Sequence, residues 1–347
     1  MCIRDRGYNL LDKIQKNYKL QPGALSVAPM LDWTDRHYRY LVRLISRHVL
    51  LYTEMIHAQA LLHGLAERYL AHDLKEHPLV LQLGGSSPEE LAGAVQVASP
   101  YAFAAINLNA GCPSSKVQEA SFGAALMLDK TRLIACLNAM QERTETPITL
   151  KHRLGVDKET SYDFVRDLVG DVSEKTACRT FVVHARNAWL QSLSPKANRE
   201  IPPLNYPFVY RLKKDFPHLT IILNGGLNSL ETMQEALAKV DGVMVGRKAF
   251  HDPWFLASWD QTFFSSPDSL SREEWVDVFY QYACRILHQE RDTHIRDLVR
   301  PALGFFHGEV GARAWRQVLS DSTWLKKNDP KIIMKAYQAV KEVAGRF

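Results

Sequence analysis

Long apolar runs are missing from this sequence. None approaches the roughly 20 residues that a helix needs to cross a bilayer, so no membrane span is expected. Cysteine is scarce and badly placed for cross-linking: the five, Cys2, Cys112, Cys136, Cys178 and Cys284, are odd in number and far apart. That argues against a disulfide framework and a zinc module, and for a reducing, cytosolic compartment. No GxGxxG turn follows the first strand-like run, as a doubly wound dinucleotide-binding sheet would usually show. One-sided charge is lacking too. With 43 Lys+Arg against 38 Asp+Glu the net charge is +5, weak grounds by itself for a nucleic-acid partner. The opening stretch, MCIRDRGYNLLDKIQKNYKLQPG, has no apolar signal-peptide core. Residues 1–24 are set aside as an extension whose first residues need not be native.

What is present is a chain of 347 residues, 46% hydrophobic and 23% charged, longer than a single core usually grows. Eight short apolar runs recur, each followed by a helix-like segment: LSVAPM (25–30), LLYTEM (50–55), LVLQLGG (79–85), FAAINLN (103–109), ITLKHRLG (148–155), FVVHAR (181–186), TIILNGG (220–226) and GVMVGR (242–247). Near-continuous apolar runs alternating with helices are the mark of parallel strands covered on both faces. Eight such units over roughly 230 residues match a closed (β/α)₈ TIM barrel; an open doubly wound sheet is the alternative. SSPEE predicts a helix start, with Ser87 as N-cap, Pro88 at the first position and Glu90 as capping-box acid. After the barrel the spacing turns helical, through Trp275, Val278, Phe279, Tyr282 and Ile286, then Trp315, Val318 and Leu319. The expected organisation is a barrel over 25–258, a linker over 259–271 and a small all-α helical bundle over 272–347.

Polar residues stand at the carboxyl end of nearly every run: Glu54, Gln82, Asn107, Asn109, Lys151, Arg153, His184, Arg186, Asn224 and Arg247. In a barrel these ends converge on one mouth, where active sites are built. The glycines of NGG (224–226) and GR (246–247) either turn tight corners or offer backbone N–H groups to a phosphate. Gln82 presents a donor and an acceptor to a flat heterocycle such as an isoalloxazine edge, and Lys151 can place positive charge near its reduced, anionic form. Cys112 sits in a loop crowded with Asn, Gly, Pro and Ser, NLNAGCPSSKV (107–117), with no second cysteine near it. On the residues alone it is a metal ligand, a nucleophile, a proton donor or an incidental thiol. The histidines His57, His63, His72 and His77 fit no metal spacing and read as solvated surface, and Trp315 and Trp324 read as helical core.

SVAPMLDWTDRHYR, LYTEM, LQLGGS, INLNAGCPSSKV, HRLGVD, FVVHARNAWL, SPKANREIPPL, NGG, DGVMVGR and the later RPALGFFHGEVGARAWRQVLS together resemble the tRNA-dihydrouridine synthases. The order is right and the match runs over most of the chain. It is nearest to the bacterial subfamily acting on positions 20 and 20a of the tRNA D-loop. The resemblance implies an FMN-containing barrel, a helical tRNA-binding domain, and reduction of the uridine C5–C6 double bond with electrons from NADPH. By motif, Pro29, Met30 and Leu31 lie against the flavin, and Gln82, Lys151, His184, Asn224, Gly225, Gly226, Gly246 and Arg247 complete its site. Cys112 corresponds to the proton donor, Asn109 to a contact with the target nucleotide, and Lys196, Arg199, Arg313 and Arg316 to RNA contacts. No metal is implied, and a cytoplasmic monomer is expected.

An ordinary thiol, with a pKa of about 8.5, is mostly protonated at neutral pH and so can act as a general acid toward C5. A nucleophilic cysteine would instead need a paired base. Three other readings stay open on the sequence. A Schiff-base aldolase would use Lys151, a non-catalytic RNA-binding module would use the basic C-terminal region, and an FMN-dependent free-pyrimidine dehydrogenase would use the same barrel on a small substrate.

Overall fold

The computed structural model describes residues 24–345 except 65, 114–121, 191, 192, 195 and 265–269. The opening extension, the SSKV part of the Cys112 loop and most of the serine-rich stretch expected to be a linker therefore lie outside the described residues. Eight strands form one sheet: β1 (Ala24–Val27), β2 (Leu51–His57), β3 (Leu79–Gly84), β4 (Ala105–Ala110), β5 (Ile148–Arg153), β6 (Thr180–His184), β7 (Thr220–Asn224) and β8 (Gly242–Val245). Hydrogen-bonded neighbours run β1-β8-β7-β6-β5-β4-β3-β2, and every pairing is parallel. The ring closes at Leu50, which bridges Ser26; Val27 N–H donates to Leu50 O at 3.0 Å, and Leu50 N–H to Leu25 O at 2.9 Å. This is the expected (β/α)₈ barrel.

Alternation along the strands builds its interior. Val80, Ala105, Val182, Ile222 and Met244 belong to one buried apolar cluster, with Tyr52 and Ala28. Residues two apart on a strand share a face. Two positions beyond four of these apolar residues stand Gln82, Asn107, His184 and Asn224. An apolar floor thus carries a polar layer, displaced toward the carboxyl ends. Outside the barrel, helices bury one stripe each. In the helix Tyr162–Lys175, Val165, Leu168, Val169 and Val172 are buried and Ser161 caps the start. Ser87 caps Pro88–Ala98 as expected, by accepting from Glu90 N–H. Glu90 does not complete a capping box: its carboxylate accepts from Gln59 Nε2 at 2.8 Å instead.

The chain packs as two compact units. Among the described residues, one comprises 24–31 together with 50–245, and the other comprises 32–49 and 246–345. Packing alone would thus divide the chain after Val245 and add the helix Arg36–Ile45 to the second unit. Tyr38 Oη donates to Ala249 O at 3.0 Å and Trp275 Nε1 to Leu41 O at 3.2 Å, so this helix is held by residues far along the chain. The helix Ala257–Phe264 runs into the stretch, 259–271, expected to link the domains. The second unit also holds Arg272–Gln289, Ala312–Leu319 and Lys331–Ala344. Trp315 is fully buried, as read from its spacing. Trp324 is not; it is half-exposed, with Lys327 and Lys335 over its ring. No helix among the described residues is long and apolar enough to cross a membrane.

Candidate active site

Hydrogen bonds join the polar layer of the barrel into a directed chain. Asn107 Nδ2 donates to Thr149 Oγ1 at 2.9 Å, and Gln82 Nε2 donates to Asn107 Oδ1 at 2.8 Å. Gln82 Oε1 in turn accepts from Asn109 Nδ2 at 2.9 Å. Each of these side chains is buried, and buried amides are held in one orientation by such partners. After these bonds Gln82 retains one N–H and one lone pair, the donor–acceptor edge expected of it. The chain ends on the loop of interest. Asn109 Oδ1 accepts from Gly111 N–H at 3.1 Å and from Cys112 N–H at 3.0 Å, and Cys112 O accepts from Ala124 N–H at 2.9 Å. Cys112 is a free, half-buried thiol whose backbone is pinned on both sides.

Beside β4, β5 contributes a charge and β7 an amide that meets it. Lys151 Nζ donates to Asn224 Oδ1 at 3.1 Å, and Asn224 Nδ2 donates to Met244 O at 2.8 Å. Burial above all, with the charge of Arg153 adding to it, lowers the Lys151 pKa to about 7. An ammonium held among neutral amides gains from an anion brought beside it. Gly225 and Gly226 follow β7 with φ of +110° and +72°. A Cβ on Gly225 would lie 2.7 Å from His184 Cδ2, and one on Gly226 would lie 2.4 Å from Leu204 Cδ1. The loop therefore packs its bare backbone against His184, and Tyr206 Oη holds it through Gly225 O at 2.7 Å.

The structure thus brings Gln82, Asn109, Cys112, Lys151, His184, Asn224, Gly225 and Gly226 to the carboxyl ends of β3 to β7. After β1, Met30 packs on the barrel-interior cluster while Leu31 stays 65% exposed; Pro29 is half-buried. Gly246 and Arg247 open the second unit directly after β8. Lys196 and Arg199 are exposed on the loop after β6. Arg313 and Arg316 are exposed one helical turn apart on Ala312–Leu319, in the second unit.

Two contributors escape the reading of the sequence, and a third, Arg153, reads there only as a polar strand end. Thr149 looks like any strand threonine, and only its register opposite Asn107 reveals it. Asn198 is fully buried between two exposed cations. Arg153 reaches Gly111 O through Nε at 2.8 Å, and Asn187 O and Asn198 O through Nη1 at 3.0 Å each. One buried guanidinium so ties the Cys112 loop to the Lys196–Arg199 loop. Among the four histidines, His77 is buried and lies 2.9 Å from His72, ring nitrogen to ring nitrogen, so that pair is not the solvated surface expected.

Residues 26–343 match the family model described as dihydrouridine synthase. The tRNA-dihydrouridine(20/20a) synthase of Escherichia coli (strain K12) is 47% identical over 319 residues, 92% of each chain. That of Vibrio vulnificus (strain CMCP6) is 46% identical over 313 residues, covering 90% of this chain and 95% of the relative. Among solved structures, 2-naphthoyl-CoA reductase in complex with 2-naphthoyl-CoA superposes with a TM-score of 0.56 at 12% identity, over 74% of this chain and 53% of that one. Morphinone reductase does so with a TM-score of 0.50 at 10% identity, over 74% and 90%. At such identities these two share the fold. The match to the family model, joined to close identity over nearly the whole length, decides the relationship: this chain belongs to the dihydrouridine synthase family.

Proposed function

We propose that this protein reduces uridine to 5,6-dihydrouridine in the D-loop of tRNA, at positions 20 and 20a, with FMN as cofactor and NADPH as electron donor. The observation that carries the reading is the unbroken chain of side-chain hydrogen bonds from Thr149 through Asn107, Gln82 and Asn109 to the backbone of Cys112. It holds a thiol in register with a layer of amides and a lysine, on an apolar floor. When bound, reduced FMN supplies the hydride to C6 of the uracil.

The protein's own residues do the rest. Gln82 meets the heterocycle edge with its remaining donor and acceptor. Lys151 sits beside the ring as a cation that turns on when an anion arrives, because burial keeps its pKa near 7 in the absence of one. Gly225 and Gly226 let backbone N–H groups approach a phosphate, and by motif Gly246 and Arg247 serve the same group. Pro29, Met30 and Leu31 give apolar contact, and His184 flanks the glycine loop. Cys112 delivers the proton to C5, and Asn109 fixes the loop from which it does so. Lys196, Arg199, Arg313 and Arg316 attract the phosphates of tRNA. The described cysteines are free, which suits a cytoplasmic enzyme, and the protein works as a monomer.

A lysine of lowered pKa would also suit a Schiff base. Membership of the dihydrouridine synthase family sets the aldolase reading aside, and failure of borohydride to trap a carbonyl substrate on Lys151 is its check. The direct test is the purified protein itself. It should be yellow, release one FMN per chain on acid treatment, and form dihydrouridine in tRNA transcribed without modification. Absence of flavin, release of FAD, or activity on free uracil alone would overturn the proposal.

A further inference from the structure

In the loop between β6 and the helix Tyr206–Asp215, the described residues around Trp189 are held by several hydrogen bonds. Asn198, fully buried, accepts from Trp189 N–H at 2.7 Å through Oδ1 and donates to Trp189 O at 2.8 Å and Leu193 O at 3.0 Å through Nδ2. On either side of Trp189, Leu190 N–H donates to Asp157 Oδ1 at 2.7 Å and Ala188 N–H to Gly155 O at 2.8 Å. The backbone at Trp189 is thereby fixed from both neighbours and from beneath. Its side chain is nevertheless 43% exposed. An indole is thus displayed on a firmly held backbone. The same Asn198 lies in the short turn Ala197–Arg199, next to the exposed Lys196 and Arg199.

We infer that Trp189 is a stacking platform for a base of the bound RNA, set beside the cations that take its phosphates. The inference rests on the RNA-substrate reading above and adds to it a residue that reads no sequence but grips. An aromatic ring fixed next to a cationic turn is the combination used on unpaired bases, because every base has a π-face and every nucleotide a charge. Fixing the backbone beforehand removes the ordering cost that a mobile loop would carry on binding. A protein partner fits less well. The exposed large apolar side chains described on this loop are Trp189 and Ile201, while a stable protein interface buries roughly 800 Å² per partner.

The test is tRNA affinity across a salt series for the parent, Trp189→Ala, Trp189→Phe and Lys196→Ala, with FMN content and NADPH-driven flavin reduction as controls. Trp189→Ala should weaken binding roughly five- to a hundred-fold with an unchanged log–log salt slope, since no phosphate contact is lost. Trp189→Phe should recover most of the affinity. Lys196→Ala should flatten the slope by about 0.7 to 0.9. Unaltered affinity in Trp189→Ala, beside a weakened Lys196→Ala, would overturn the stacking role and leave the substrate reading standing. Equal loss of affinity and slope, not recovered by phenylalanine, would reduce Trp189 to a support for the loop and overturn the inference. A change in self-association with tRNA affinity intact would point to a protein contact, and no tRNA binding by the parent would sink both readings.

Discussion

Asn109 spends most of its side chain on its own protein: one Nδ2 N–H on Gln82, and Oδ1 on the amides of Gly111 and Cys112. These bonds set the Cys112 loop and leave the second Nδ2 N–H for a nucleotide, while Oδ1 is fully committed. The bonds behind it are equally committed. Thr149→Val keeps the shape of the buried side chain but leaves Asn107 Nδ2 without its acceptor. An orphaned buried donor costs about 1–3 kcal/mol, so the thermal midpoint should fall; dihydrouridine formation should fall further than flavin reduction does. Unchanged stability would mean that Asn107 finds another partner. Lys151 makes a different prediction. In the folded protein without cofactor its pKa is about 7, against 10.5 for an ordinary lysine. Between those values the unfolded chain holds more protons, so this residue's contribution to stability rises with pH across the window. An anion bound beside it raises its pKa again, so binding of reduced, anionic FMN at pH 8 should take up protons, and affinity should fall as pH rises above about 7. Anaerobic calorimetry of reduced FMN binding in two buffers of different ionisation enthalpy measures that uptake, and Lys151→Met should abolish it.

At the scale of elements, the barrel was readable because parallel strands covered on both faces need apolar residues at nearly every position. The runs overshot the carboxyl ends of several strands, as at Gly225, Gly226, Arg186 and Gly246, where the functional groups begin. The candidate site was legible there for the same reason: amides and a lysine in an apolar context have no local excuse. Its internal wiring was not. Nothing local says that Asn198 turns inward while its neighbours Lys196 and Arg199 face water, or that Arg153 spans two loops. Nor does the sequence show that Arg36–Ile45 packs with the later half of the chain, a matter of contacts such as Ser46 Oγ to Asp260, 214 residues apart. The glycine loop after β7 offers a clean test of an element. Gly225→Ala combines an unfavourable φ of +110° with a methyl group 2.7 Å from the His184 ring. Gly64→Ala has a comparable φ of +127° and nothing within 4 Å. Both should lose stability by about 1–3 kcal/mol, but only Gly225→Ala should purify with depleted FMN. Equal flavin content in the two variants would remove the loop from the cofactor site.

For the molecule as a whole, the family match over residues 26–343 takes in both compact units. That extent suits a reaction needing both a cofactor barrel and a grip on a large anionic substrate. The reaction divides into two halves that different residues serve. Reduction of the flavin by NADPH needs the cofactor held and its charge met, which the proposal gives to Lys151 and the glycine loop. Formation of dihydrouridine needs in addition RNA held in place and a proton delivered at C5. In the proposed mechanism Cys112 belongs to the second half alone; its backbone is fixed by Asn109 and Ala124 and its thiol is free. The decisive measurement is therefore a single-turnover comparison of the parent with Cys112→Ala on unmodified tRNA, following flavin reduction and dihydrouridine formation separately. Flavin reduction should proceed at the parent rate while dihydrouridine formation falls by roughly a hundred-fold or more, the usual worth of a positioned general acid. Dihydrouridine formed at the parent rate, or equal loss of both halves, would contradict the assignment of Cys112 as proton donor.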